Sequence, residues 1–592
     1  MSEHLFSKLK IKKTGKEIEP QEVFLDRLSQ KKEAEMGISE KKLEIPLSRG
    51  IIRGFWAVFL ILVFMLLGKT LQLQLVQGEE LSAAAEQNRF IMGSLQAERG
   101  VIYDRNFRQL VFNKASFDLI CNGEIEMRDL DHEDLLFFET RINDFPDCEI
   151  KDNTVREYPA EGFFSHIVGY QRPTGEKTGL EGQYDDILQF RPGQVQIKRD
   201  VYGNPVSKEV ISLAESGQNL MLWLDADLQE QIAISLGESI ERVGATGGTA
   251  VAMDPKTGGV LALVSLPTFD ANLFSGGINT EQWDKLREDP STPLFNRAIS
   301  GEGFLIGSTI KPFMGLAALE EGIITPNTRL YCPLQICVQS PWDPERKDCY
   351  RDWKYHGTSD VRRAIAESVN TFFYQVGGGF EGFRGMGAVK IKEWMEEFGW
   401  DSKTNIDLPL EGKGVLPDLT SGWVLGQTYH ISIGQGPFSV TPLQLTTAYT
   451  AIINDGKMVQ PRLVKGIIEK GELIEEMPPT ILKELSVSPE NLEVVRQGMR
   501  QAVTTPGNPP ATLSSLPVAA AAKTGTAQTG KPNVYHNWVT VFAPYEDPQI
   551  VLTLMVENAQ GEPGQLPPPA VLPVAKEVLE WWFSQPLDNS GD

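Results

Sequence analysis

A serine hydroxyl becomes a useful nucleophile only when a base takes its proton, and a lysine can be that base only if it is neutral. Ser308-Thr-Ile-Lys311 offers such a pair, and on a helix positions i and i+3 share one face. The motif alone has little weight, because Ser-x-x-Lys recurs at Ser7, Ser29 and Ser39 in a charged leader. Context separates them. Only Ser308 opens a stretch, Pro312 to Gly322, that is apolar on nearly every face and ends at a glycine, the pattern of a helix through a core. Moving a lysine pKa from about 10.4 to about 7 costs on the order of 5 kcal/mol, which burial and a second nearby cation can supply together. A second lysine is therefore expected at the site. Lys-Thr-Gly starts at Lys13, Lys177, Lys256 and Lys523. Only the last copy, Lys523-Thr524-Gly525, falls at the end of an apolar strand, where Gly525 leaves room for a ligand against the backbone. Ser368-Val-Asn370 is the only Ser-x-Asn in the chain and lies between helical runs over 360–367 and 371–376.

The elements that must position these residues follow from the pattern of the rest. With 592 residues and 41% hydrophobic content, the chain can bury at least one large core in several domains. Its net charge of -23 argues against nucleic acid as a partner, since phosphate binding needs clustered cations. Five cysteines exclude a disulfide-dense scaffold. Gly54 to Gly68 carries no charge between Arg53 and Lys69, and it reads as an uncleaved transmembrane anchor over 54–73 if neighbouring apolar residues join it. The leader, 1–53, holds twelve Lys or Arg against nine acidic residues, which keeps it in the cytoplasm and exports the remainder. Residues 74–219 show short mixed segments with turn signals and predict a strand-rich spacer or docking module. From 220 to 583 a hairpin around Asp254-Pro-Lys-Thr-Gly-Gly259 is followed by long helical patterns. Two closing strands, Trp538 to Phe542 and Ile550 to Val556, complete a layered α/β (α+β) domain, and 584–592 form a tail.

Ser308-x-x-Lys311, Ser368-x-Asn370 and Lys523-Thr-Gly525, in that order and setting, resemble the motif set of the penicillin-binding proteins. The resemblance is to class B members, the monofunctional D,D-transpeptidases of the bacterial wall, and it covers about 85–580. Glu98-Arg-Gly-Val-Ile-Tyr-Asp-Arg-Asn106, Gly179-Leu-Glu-Gly182, Asn296-Arg-Ala298, Ser432-Ile-Gly-Gln-Gly436 and Thr441-Pro-Leu-Gln444 are similar to family landmarks. Pro267 to Phe274, Tyr350-Arg-Asp-Trp353 and Phe372-Phe-Tyr-Gln375 look most like the elongation member, with the septal enzyme as nearest rival. The resemblance implies a fold of a strand-rich pedestal and a transpeptidase domain behind one transmembrane helix. It implies that Ser308 attacks the penultimate D-Ala carbonyl of a pentapeptide stem and Lys311 takes its proton. Ser368 and Lys523 would relay that proton to the leaving D-Ala. Asn370, Thr524 and Thr526 would hold substrate beside Gly525, with the Ser308 and Thr526 N–H groups as oxyanion hole. β-Lactams would acylate Ser308, and D-Ala-D-Ala carboxypeptidase activity would be a side reaction. The implied partners are peptidoglycan stems, the membrane, a SEDS-type glycosyltransferase and rod-shape scaffold proteins.

Two departures stand out. Leu305-Ile306 precede Gly307 where family members commonly carry two prolines, which predicts a less preorganised approach to Ser308 and slower acylation. Cys332, Asp352 and His356 lie near positions that hold zinc in some relatives, but Val369 stands where a fourth ligand is expected. Either Cys337 or Cys349 substitutes, or a Cys332–Cys349 disulfide forms instead. No cofactor is required by the implied chemistry, and zinc stays open. A non-turnover β-lactam sensor or an idle scaffold would share the motifs. A polymerising bifunctional synthase and a soluble β-lactamase fit the segment lengths poorly.

Overall fold

The computed structural model describes residues 48–159, 162–200, 205–420, 422–563 and 565–585. Most of the charged leader and nearly all of the predicted tail lie outside them. The described chain falls into two compact units. One comprises the residues up to Gly93 with Val195–Val210, and the other Ser94–Gln194 with Ile211 onward.

The first unit is built on the long helix Arg49–Leu71, which continues through a wider turn to Val76. Its side chains are largely exposed, and the 28 residues average a hydropathy of 2.4 in their most apolar window. At about 1.5 Å per residue they span about 42 Å, more than the roughly 30 Å of a bilayer core. The helix starts before the expected anchor and outlasts it. Arg49, Arg53 and Lys69 can sit near its ends because long cationic side chains reach the interface. Gly78–Arg89 is a second helix where mixed segments were expected; Glu79 and Glu80 in its first turn suit the positive end of the helix dipole.

In the second unit Arg99 and Glu181, from two of the landmark motifs, meet in a buried ion cluster. Arg99 Nε lies 2.6 Å from Glu181 Oε2 and Arg156 Nε 2.6 Å from Glu181 Oε1, with Glu181 fully buried. A charge taken out of water needs this pairing, since alone it is costly. Around it runs a seven-stranded sheet. Its main path is Glu472–Glu476, Val464–Glu469, Asn219–Leu222, Ile102–Tyr103, Gln109–Cys121 and Glu124–Met127, with Cys148–Glu157 paired to Gln109–Cys121. The strand-rich reading of this segment is thus correct, and its sheet continues across position 219. Cys121 and Cys148 face each other in that register and form a disulfide.

The sheet that carries the chemistry has five antiparallel strands: β1 (Gly247–Met253), β2 (Val260–Leu266), β3 (Ala521–Gln528), β4 (Val534–Ala543) and β5 (Ile550–Gln560), in the order β2-β1-β5-β4-β3. Side chains alternate between faces along a strand. Ala250, Ala252, Leu552 and Leu554 therefore meet α1 (Ala226–Arg242) and the C-terminal helix Val571–Ser584, while Val251, Met253, Val551 and Met555 join the other core. That second core holds α2 (Lys311–Glu320), α3 (Asn370–Gly378) and α4 (Pro442–Ile453). Both faces are covered, so β1 and β2 are buried throughout and read as continuous apolar runs. β3 stays at the sheet edge.

Candidate active site

Ser308 sits in a short 3-10 turn, Gly307–Ile310, that runs directly into α2. Lys311 through Leu319 are buried, as expected for a helix through the core. The prolines missing before Gly307 are replaced by hydrogen bonds. Trp538 Nε1 donates to Leu305 O at 3.0 Å, Thr309 Oγ1 to Ile306 O at 2.7 Å, and Tyr449 Oη to Thr309 O at 2.7 Å. Gly307 N donates to Gly434 O at 2.9 Å. Gly307 has φ +53, and a Cβ on Gly434 would lie 1.9 Å from Gly307 O. A Cβ on Gly525 would come within 2.6 Å of Ile306 O. These glycines let three backbones stack at the serine, which explains the Ser432-to-Gly436 landmark and the glycine of Lys-Thr-Gly.

The three motifs converge. Lys311 Nζ lies 2.7 Å from Ser368 O, 2.7 Å from Asn370 Oδ1 and 3.2 Å from Ser368 Oγ. Lys523 Nζ donates to Ser368 Oγ at 3.0 Å and to Thr524 O at 2.8 Å. Burial lowers Lys311 to about 7, against a smaller opposing pull from Asp352. Lys523, the second lysine expected from the sequence, is driven well below its ordinary value by burial and then by Lys311. A neutral Lys311 amine has two N–H groups, and the two carbonyl oxygens at 2.7 Å use both. Its lone pair is then free for a hydroxyl proton. Among the described residues no hydrogen bond joins Ser308 Oγ to Lys311 Nζ, a contact that in an unliganded enzyme often tightens only with substrate. Lys523-Thr-Gly lies within β3, not at its end, in register with Thr540, Val539 and Trp538 of β4.

Ser368 is held at φ +56, a left-handed conformation uncommon for a non-glycine residue. Its flanks are pinned. On one side Glu367 takes hydrogen bonds from Arg363 at 2.7 Å and faces His356 Nδ1 at 3.0 Å. On the other, Asp352 Oδ2 accepts from Thr371 N at 2.8 Å and Thr371 Oγ1 at 2.9 Å. Burial would raise both carboxyls, but the hydrogen bonds outweigh it: Glu367 falls to about 2 and Asp352 below its ordinary range.

Ser308, Ser368, Asn370, Thr524, Gly525 and Thr526 line one cleft of about 630 Å³, with the two lysine amines behind its wall. Tyr350, His430 and Tyr535 also face this cleft. Nothing in the spacing of His430 or Tyr535 marks them; Tyr350 could be found only through the resemblance of its tetrapeptide.

The cysteine expectation needs correction. Cys337 pairs with Cys349, not Cys332 with Cys349, because Cys337 and Cys349 stand opposite each other in the hairpin Gln335–Gln339/Lys347–Arg351. Cys332 is free and buried, and burial raises its thiol to about 11. His356 Nε2 is buried without a hydrogen-bond partner, 3.4 Å from Asp352 Oδ1. Yet among the described residues no three His, Cys, Asp or Glu side chains converge as metal ligands, and the disulfide removes both substitutes. The residues present do not make a zinc donor set.

Residues 248–580 match the penicillin binding protein transpeptidase domain, and 124–222 the penicillin-binding protein dimerisation domain. The chain is 29% identical to the peptidoglycan D,D-transpeptidase MrdA of Escherichia coli strain K12, over 88% of this chain and 92% of that one. It resembles the penicillin-binding protein 2 of Helicobacter pylori solved with MreC, at 25% identity and a TM-score of 0.70, covering 83% of this chain and 99% of the other. A chain from a peptidoglycan synthase complex that coordinates polymerization and crosslinking matches at 25% identity and a TM-score of 0.69, over 91% and 100%. With a dimerisation domain preceding a transpeptidase domain in which all three motifs meet at Ser308, this chain belongs to the class B penicillin-binding proteins.

Proposed function

We infer that this chain is a serine peptidoglycan D,D-transpeptidase that cross-links stem peptides during lateral wall elongation. The observation that carries the reading is the hydrogen-bonded set Lys311, Ser368, Asn370 and Lys523 around a lysine lowered to about 7, beside Ser308 on an open cleft. Ser308 Oγ attacks the penultimate D-Ala carbonyl of a donor stem while its proton passes to the Lys311 lone pair. The oxyanion is received by the N–H groups of Ser308 and Thr526. Lys311, Ser368 and Lys523 form the route by which a proton reaches the departing D-Ala nitrogen, which leaves as the ester forms. Asn370, Thr524 and Thr526 hold the donor along the β3 edge, where an extended peptide can add as a further strand. A second stem's amine then displaces Ser308; water in its place gives carboxypeptidase activity. Each role falls to a side chain or a backbone N–H, so the reading takes no cofactor.

The elongation role is supported by the MrdA relative and by the MreC complex of the Helicobacter pylori protein. By the same likeness, a polymerising glycosyltransferase and a rod-shape scaffold protein are the partners assigned here. The leader stays in the cytoplasm and the catalytic domain lies outside. Two disulfides beyond the long helix support that orientation, because such bonds persist in oxidising compartments.

The test is labelling of the purified chain with a fluorescent penicillin beside Ser308→Ala, then incubation with a pentapeptide donor and an amine acceptor. Label lost in the variant and D-Ala released with a new amide are expected. Label retained in Ser308→Ala overturns the nucleophile, and label without D-Ala release overturns turnover. Protease added to intact spheroplasts should destroy the catalytic domain; its protection would reverse the orientation.

A further inference from the structure

Cross-linking needs two peptides at one carbon, and the β3 edge accounts for only the donor. Beside the catalytic cleft lies a second cavity of about 350 Å³. The two share Tyr350 and His430 in their walls, and no β3 residue lines the second. The donor strand therefore forms no part of its wall.

One wall is the hairpin Gln335–Gln339/Lys347–Arg351, and its loop is stiff for a surface feature. The Cys337–Cys349 disulfide crosses it. Gln339 Nε2 lies 3.1 Å from Asp343 O, 2.6 Å from Pro344 O and 2.8 Å from Arg346 O, and its two N–H groups are shared among these three carbonyls, so one amide ties the whole turn. Ile336 roots the hairpin against Tyr374 and Tyr429 in a small core of its own. On this ordered loop Trp342 is 76% exposed. A large aromatic held out on a rigid arm is suited to recognition, because little conformational entropy is lost when it is covered. Arg346, which lines the same cavity with Asp348, holds that carboxylate through Nε at 3.1 Å and Nη2 at 3.0 Å, which leaves its Nη1, without a partner among the described residues, for a peptide carboxylate. The partition itself is keyed in place: the Tyr350 hydroxyl occupies the space a Cβ on Gly426 would need, at 1.9 Å, and the ring packs on Tyr429 and His430. Burial lowers His430, leaving it neutral at neutral pH, so it does not repel an arriving ammonium.

We propose that this second cavity is the acceptor subsite: the amine-bearing stem peptide lies against Trp342 and Arg346 and passes its amine over the Tyr350–His430 partition to the Ser308 ester. The proposal rests on the transpeptidase reading. In the step it serves, the acceptor nitrogen bonds to the acyl carbon, the ester C–O bond breaks, and the amine proton goes to the departing Ser308 oxygen. Trp342 and Arg346 act by positioning; they touch the acceptor away from the reacting atoms.

The experiment uses the full chain in detergent with a pentapeptide donor and two acceptors, a stem tripeptide with a free side-chain amine and D-alanine, which has no peptide to lay against Trp342. Trp342→Ala should raise the acceptor KM for the tripeptide about tenfold, with Trp342→Phe restoring most of it. Exchange with D-alanine and the rate of penicillin acylation should stay within about twofold. An unchanged tripeptide KM overturns the proposal, and so does an equal loss with both acceptors. A chain that releases D-Ala but never joins the tripeptide also overturns it. Failure of penicillin to acylate the unsubstituted chain would instead defeat the underlying transpeptidase reading.

Discussion

In the mechanism proposed above, Lys311 decides when the site can work. Its amine, lowered to about 7 by burial, loses its proton as pH rises through that value, so the rate of Ser308 acylation should climb about tenfold per unit below pH 7 and level off above it. A stopped-flow penicillin acylation profile checks this, and a rate already flat at pH 5 contradicts it. Stability has a related sign. Between about 7 and the ordinary 10.5 the unfolded chain binds a proton that the folded one does not, so this residue's contribution rises with pH across that window. Lys311→Arg keeps the cation but cannot deprotonate, and acylation should fall by at least about 10³-fold while the fold persists.

The turn before α2 and the hairpin beside the cleft each show local sequence and tertiary contacts dividing the work. The Leu305-Ile306 approach is tied by Trp538, Gly434 and Tyr449, elements far away in sequence. Gly434→Ala would place a methyl 1.9 Å from Gly307 O at φ +79, so it should cost roughly 2–4 kcal/mol and sharply reduce penicillin labelling. Chemical denaturation beside labelling of the refolded fraction tests both parts. Replacing Cys337 and Cys349 by serine opens a loop with a sequence separation of 12 and should cost about 3 kcal/mol, read as a lower denaturation midpoint that dithiothreitol no longer shifts further. The same reductant should still act on Cys121–Cys148, so the comparison is made with that pair also replaced.

Across the molecule, charges brought from distant segments hold the sheet-rich region together. Glu181 is fully buried between Arg99 and Arg156, and Glu181→Gln leaves Arg156 without a counter-charge and Arg99 with Asp185 alone. The expected cost is about 3–5 kcal/mol, measured by urea denaturation of the detergent-solubilised chain, with penicillin acylation lost only as the chain unfolds. A cost under about 1 kcal/mol would mean that water reaches the cluster. Arg297, from another landmark, is buried on Glu557 of β5 at 2.7 Å, the same device tying the β2 side of the catalytic domain to its last strand.

The sequence by itself marked Ser308, Lys311, Ser368, Asn370 and Lys523 as one candidate set, and it determined the layered domain and the long apolar helix. Those depend on local pattern: a hydroxyl and an amine one turn apart, apolar strand-like runs bounded by turn residues, an uncharged stretch. It also marked Arg99, Glu181 and Arg297 as landmarks, although not that two of them share one cluster. Tertiary structure alone decided the cysteine pairing, since Cys337 faces Cys349 only through hairpin register while Cys332 turns into the core. It alone supplied the hydrogen bonds that order the Ser308 turn without prolines, and it alone brought His430 to the cleft. Each of these rests on contacts between segments far apart in the chain, whose register and burial no local spacing encodes.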